Sequence, residues 1–315
     1  MLTVFYHPGY AAPIGQHMMP IRKFGLVAEG LRGANDVRLA EPQPLTEDDL
    51  RRVHAQRYID AIKTGEPRAL AEAQKFPWSP ELFPSVLLTG GGCLAAARQA
   101  LRDGVSAALV SGFHHACADH GEGFCTFNGL VVSLEAMRTA GDIRTAAVLD
   151  MDLHYGNGTA HLAASRPWLF TVSIYGNDYW ENVVYRDVTT RHHADGENHH
   201  SFALPAGCDR KTMVDVMDEA LPLIAAQKPD VLIYQAGADP YHEDPFSPLA
   251  LDHADLRARD ARVFAFAKEH GIPVAWVLAG GYTEDVSKVV RVHLGTFDAW
   301  REVFGGVDGV SARAS

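Results

Sequence analysis

Six short stretches of this sequence are apolar at nearly every position: residues 3–6, 107–111, 145–151, 168–174, 231–236 and 273–278. A strand with one wet face alternates apolar and polar side chains. These runs do not alternate, so each must be covered on both faces. Between them lie stretches of helical period at 94–101, 130–137, 213–224, 256–270 and 284–300. A capping signal, Thr46-Glu47-Asp48-Asp49, leads into Leu50, Val53 and His54. Buried strands alternating with helices predict an α/β domain with a mostly parallel central sheet covered by helices on both faces. No linker, repeat or low-complexity tract divides the 315 residues. We therefore expect a single domain over 1–315, with its core over roughly 3–302 and a tail over roughly 303–315. The polar, histidine-rich stretch 177–201 reads as one long loop. Gly90-Gly91-Gly92 reads as a packing or flexible turn, because it lacks the Gly-Lys-Ser/Thr ending of a phosphate loop.

An open parallel sheet binds its ligands beyond the carboxyl ends of its strands. The residues just after each apolar run therefore matter most. The run at 107–111 leads into Gly112-Phe113-His114-His115. The run at 145–151 carries Asp150 and leads through Asp152 and His154 to Gly156-Asn157-Gly158. The run at 231–236 leads into Gly237-Ala238-Asp239, and that at 273–278 into Gly280-Gly281-Tyr282. Four strand ends thus deliver carboxylates, imidazoles and a phenol, each beside glycine.

Asp150, Asp152 and His154 are spaced by two, so they project to one side of an extended chain. A carboxylate and an imidazole side by side, with Asp239 from a neighbouring strand, make three ligands with a fourth position open. That is the catalytic form of a zinc site. The oxygen-rich set also suits iron(II), manganese or cobalt. Asp150 and Asp152 as plain strand-end caps is the alternative. His114 and His115 read as a general base and a second proton carrier, with Asp150 and Asn157 as orienting partners. An aspartate partner raises histidine basicity and an asparagine does not, so the two should differ in pKa. Tyr282 reads as an oxyanion donor or as packed core, and Phe124 as a slot wall or as core.

Sixteen histidines and four cysteines frame the metal chemistry. Cys93, Cys117, Cys125 and Cys208 form no C-x-x-C pair, so a zinc–thiolate site is not expected and a reducing cytoplasm is. The N-terminus shows no signal-peptide pattern. No apolar run reaches the roughly 18–20 residues of a membrane span. A formal charge of −11 disfavours nucleic acid and anionic membranes and favours a cationic substrate. His192, His193, His199 and His200 read as a solvated loop. The acidic pair in Tyr241-His242-Glu243-Asp244 reads as a rim element that could meet a cation, or as a solvated loop.

These motifs, with Gly121-x-Gly123-Phe124-Cys125, resemble the zinc-dependent histone deacetylases of the arginase/deacetylase fold, most closely their class IV branch, over about residues 6–300. The resemblance implies a metal-dependent deacylase of N-acyl-lysine. In it Asp152, His154 and Asp239 bind zinc, His114 and His115 form the histidine tandem with Asp150 and Asn157 behind them, and Tyr282 polarises the carbonyl. It further implies Phe124 as a tunnel wall with Trp180 opposite, and the Gly123 carbonyl as acceptor of the substrate amide. An inner K⁺ would sit among Asp150, Asp152, His154, Ser173 and Ile174. His17 and Arg22 fall near an arginine that relatives place behind the active site, so Arg22 reads either as lining an acetate exit path or as a plain surface arginine. Tyr155 departs from the family pattern, as does the rim 176–185. An acetylpolyamine amidohydrolase is the rival reading, although the long channel-constricting loop usual there has no counterpart here. A two-metal ureohydrolase lacks its second carboxylate after His154, where Tyr155-Gly156 stands.

Overall fold

The computed structural model describes residues 1–15, 17–180, 183–185 and 196–305, excepting the side chains of Trp180 and residues 183–185. In chain order the strands are β1 (Leu2–Phe5), β2 (Val37–Ala40), β3 (Val105–Ala108), β4 (Ala146–Asp150), β5 (Leu169–Tyr175), β6 (Asp178–Trp180), β7 (Val183–Tyr185), β8 (His199–Ala203), β9 (Leu232–Gln235) and β10 (Val274–Val277). Eight of them form one sheet in the order β2-β1-β3-β10-β9-β4-β5-β8. Every pairing in it is parallel. The apolar runs become its middle six strands, whose side chains are almost all buried. Helices flank the sheet. Leu82–Asp103 packs on β1, β3 and β10 and on the helix Gly129–Ala140. Lys23–Leu31, His253–Glu269 and Val286–Phe304 pack together as a second group. The α/β reading holds.

The two edge strands are not visible in the sequence as apolar runs. β2 reads Val-Arg-Leu-Ala and is half exposed, and β8 reads His-His-Ser-Phe-Ala. The expected loop over 177–201 is thereby corrected. It holds the antiparallel hairpin β6–β7 and then β8, paired on β5. His199 is not solvated: it is buried, with Thr171 Oγ1 2.6 Å from Nδ1 and Tyr155 Oη 3.0 Å from Nε2. Tyr155 thus serves the sheet edge. His192 and His193 lie outside the described residues. The last helix runs to Phe304, and that ring packs on Phe264. Residues 306–315 lie outside the described ones.

Gly90, Gly91 and Gly92 are not a turn. They sit inside the helix Leu82–Asp103, where they let another segment come close. A Cβ at Gly91 would stand 2.0 Å from the Gln43 carbonyl oxygen, which is backbone and cannot swing aside. Gly91→Ala should therefore cost about 1–3 kcal/mol through overpacking. Chemical denaturation measures this, and an unchanged midpoint would contradict the packing role.

Candidate active site

Strands β3, β10, β9 and β4 are adjacent, so the four loops that leave their carboxyl ends meet above the middle of the sheet. Asp152, His154 and Asp239 are buried there, and their ligand atoms lie within 4.8 Å of one another. His154 Nδ1 is 3.1 Å from Asp152 Oδ1 and 3.1 Å from Asp239 Oδ2. Backbone amides fix the carboxylates. Gly280 N donates to Asp152 Oδ2 (2.7 Å), His154 N to Asp152 Oδ1 (2.9 Å) and Leu153 N to Asp239 Oδ1 (3.0 Å). Gly280 has to be glycine, because a Cβ would stand 1.9 Å from Asp239 Oδ2.

The charge balance tests whether a metal fits. Asp150, Asp152, Asp239 and Asp244 are all buried together. The buried cations nearby are Lys23 and Arg259, and Arg259 is already paired with Asp260 at 2.9 Å. Buried charges are paired or coordinate metals. Asp239 shows the imbalance, since burial and then the Asp152 charge push its carboxyl up to about 7. A divalent cation among Asp152, His154 and Asp239 answers both the donor set and the charge.

The histidine tandem lies beside this triad, with ring centroids 3.9 Å apart. His114 Nδ1 is 2.7 Å from Asp150 Oδ2, and His115 Nδ1 is 2.6 Å from Asn157 Oδ1. Burial works against charge on both. For His114 the carboxylates of Asp150 and Asp152 outweigh burial and raise its pKa. For His115 burial acts together with His114 and His154 and holds its pKa well below the ordinary value. The expected difference between the two is present.

Tyr282 closes the other side, its ring 6.0 Å from that of His154 and 6.1 Å from that of Phe124. Burial, then Asp152 and Asp239, keeps its phenol protonated far above the usual range. The loops are strained where they meet. Phe113 (φ 58°), Phe124 (φ 64°) and Ala279 (φ 138°) all take left-handed backbone, at a cost of order 1–3 kcal/mol each.

Several expectations change. Trp180 lies in β6, but its side chain is outside the described residues. Its neighbour Tyr179 is set against the site, stacked on His115 at 3.8 Å and edge-on to His154, and Phe246 lies edge-on to His154 at 5.7 Å. Gly123 lies beneath this stack, since a Cβ there would be 2.4 Å from His115 Cδ2. Phe124 is half-buried against His17 and Phe76. Arg22 is exposed. Lys23, its neighbour, is a buried cation behind the site and donates to the carbonyls of Ala279 and Gly280. Burial lowers it to about 8 against the pull of Asp239. Glu243 and Asp244 do not act as a pair. Glu243 is exposed and bound to Lys288, whereas buried Asp244 accepts from Tyr282 N at 2.7 Å and so positions that residue. Sequence reasoning misses Arg259. It donates to the Gly237 carbonyl (2.8 Å) and the Met151 carbonyl (3.2 Å), tying two of the four loops together. Asp150 and Ser173 face each other across β4 and β5, and Ser173 Oγ accepts from Gly156 N at 3.3 Å, beside buried Ile174. Cys117, His120 and Glu122 also bring their ligand atoms within 4.8 Å of one another, a grouping that the cysteine spacing alone does not suggest.

Comparison with known proteins gives a consistent result. The histone deacetylase domain family matches residues 17–297. An uncharacterized protein of Picosynechococcus sp. is 30% identical over 96% of this chain and 99% of its own length. Acetylpolyamine amidohydrolase 1 of Pseudomonas aeruginosa is 30% identical over 58% of this chain and 51% of its own. Among solved structures, an acetylpolyamine aminohydrolase from Burkholderia pseudomallei superposes with a TM-score of 0.76, covering 96% of this chain and 99% of that one at 20% identity.

Proposed function

The chain belongs to the histone deacetylase domain family and is an amidohydrolase of the deacetylase kind, and from that premise we propose that it hydrolyses N-acyl-lysine amides in peptides with a zinc ion held by Asp152, His154 and Asp239. The observation that carries this reading is the buried triad, with two differently tuned histidines and one phenol around a single reaction space. Iron(II) is compatible with the same donors.

A metal bound there supplies Lewis-acid polarisation of the acyl oxygen and a water acidified toward a pKa of about 7. The protein's own groups do the rest. Asn157 Oδ1 accepts from His115 Nδ1, which leaves Nε2 free to take a proton from water and later return it to the leaving amine. His114, held by Asp150, is the electrostatic partner. The Tyr282 phenol donates to the developing oxyanion. Phe124 walls the acyl slot, with Trp180 as a further wall and the Gly123 carbonyl receiving the substrate amide. An inner K⁺ held by Asp150, Asp152, His154, Ser173 and Ile174 would brace β4 and β5.

His115 must be neutral to act as base. Its pKa is depressed, and a nearby cation depresses it further. The acid limb of kcat/KM should therefore fall below the ordinary histidine value of about 6.5. A pH–rate profile with its acid limb above pH 7 would contradict the assignment.

Beside Tyr282 the surface opens into a cleft of about 1000 Å³ lined by His17, Met18, Arg22, Glu243 and Glu284 among others. That room suits a peptide. The likeness to acetylpolyamine amidohydrolase 1 supports a second reading, a small acetylated polyamine. The deciding experiment is a panel of acetyl- to long-chain acyl-lysine peptides assayed beside N-acetylputrescine. Higher kcat/KM on a peptide is expected, and turnover of N-acetylputrescine alone would overturn the peptide reading. No described helix is long and apolar enough to cross a membrane. A cytoplasmic location, and a surface too acidic for nucleic acid, remain part of the proposal.

A further inference from the structure

The segment between His115 and Cys125 gathers a second group of side chains of metal-ligand type, outside the groups assigned to the reaction. Cys117 Sγ, a ring nitrogen of His120 and a carboxylate oxygen of Glu122 lie within 4.8 Å of one another. His120 Nε2 is 2.9 Å from Glu122 Oε1, close to the 3.1 Å that separates His154 from each of its carboxylates. A backbone hydrogen bond from Cys117 N to His120 O, at 3.0 Å, closes the turn that gathers them.

We propose that Cys117, His120 and Glu122 form a second metal site, suited to zinc, behind the Asn157–His115 arm of the active site. Thiolate, imidazole and carboxylate together are a zinc donor set, and Cys-x-x-His lies within the short spacing that zinc sites use. A second observation points the same way. The far nitrogen of His120, Nδ1, is 2.7 Å from Asp119 Oδ1. A carboxylate on the other ring nitrogen is the partner that orients a metal-bound imidazole. Glu122 is buried against His120, while His120 is 39% exposed and leaves a path from solvent.

The site also reaches the chemistry. Glu122 uses its second oxygen, Oε2, to accept from Asn157 Nδ2 at 2.9 Å, and Asn157 Oδ1 faces His115 Nδ1. An amide can flip. With Glu122 held, only its carbonyl can face His115, which fixes the tautomer of that base. A metal on Glu122 Oε1 would anchor this arm without touching substrate.

Cobalt(II) separates the two sites, because the Asp152–His154–Asp239 site has no sulfur. In apoprotein reconstituted with cobalt(II), we expect two metal equivalents and a near-ultraviolet thiolate-to-cobalt charge-transfer band. Cys117→Ser should lose the band and one equivalent, and the equivalent it keeps shows that the fold is intact. His120→Ala, which retains the thiol, should lose the band as well. Asp239→Asn should lose the other equivalent and keep the band, so failure of the proposed active site is read separately. A single equivalent with no band in the unmodified protein would overturn the proposal, as would a band that survives Cys117→Ser.

Discussion

Asp239→Asn is expected to abolish amide hydrolysis together with metal binding at the active site. Asn keeps an oxygen that can accept from Leu153 N, and it is nearly the same size in a position where Gly280 leaves no slack. What it removes is an anionic ligand 3.1 Å from His154 Nδ1. A metal held there would contribute several kcal/mol to catalysis, so the loss should be on the order of 10³-fold or more. The metal-free protein should not suffer. Its Asp239 carboxyl is already pushed up to about 7 by burial and by Asp152, and a neutral side chain relieves that crowding. The Tm of the metal-free variant should therefore hold or rise. The rise in Tm that metal gives the unmodified protein should disappear. A variant that keeps both metal and turnover would remove Asp239 from the site.

Tyr282→Phe should separate binding from chemistry. The ring stays packed against Phe246, His154 and Phe124, and the backbone amide still reaches Asp244. Only the phenol O–H goes. Loss of one oxyanion donor costs about 2.7–4 kcal/mol, or roughly 10²–10³ in kcat. KM and metal content should change little, because the hydroxyl acts on charge that develops only in the transition state. Unchanged kcat with full metal content would show that Tyr282 is packing alone.

Much of this site is legible in the sequence, for a physical reason. Buried parallel strands must be apolar on both faces, so the polar residues just beyond them stand out. Asp150, Asp152, His154, Asp239, His114, His115 and Tyr282 all stand out in that way, and the structure brings them together. The rest depends on direction rather than order. Arg22 and Lys23 are adjacent, and only the turn of the chain into its helix decides that Lys23 points inward. Glu243 and Asp244 look like one acidic pair, yet neighbouring side chains go to opposite places. Tyr179 sits in a three-residue strand too short to show a period. Gly90-Gly91-Gly92 carries a turn composition, but close packing on residues 43 and 45 holds it helical. Cys117, His120 and Glu122 have no periodic element to align them. Only a turn in the chain unites them, and the absence of a Cys-x-x-Cys pair conceals it.

The most direct test of the central claim is one titration on one sample. The purified protein is freed of metal with a chelator, assayed on an acetyl-lysine peptide, and then given zinc in measured steps. The proposed mechanism predicts no turnover without metal. Activity should return as the Asp152–His154–Asp239 site fills, with an Asp239→Asn control that stays inactive throughout. Full turnover in the metal-free protein, or activity restored equally in that control, would contradict it.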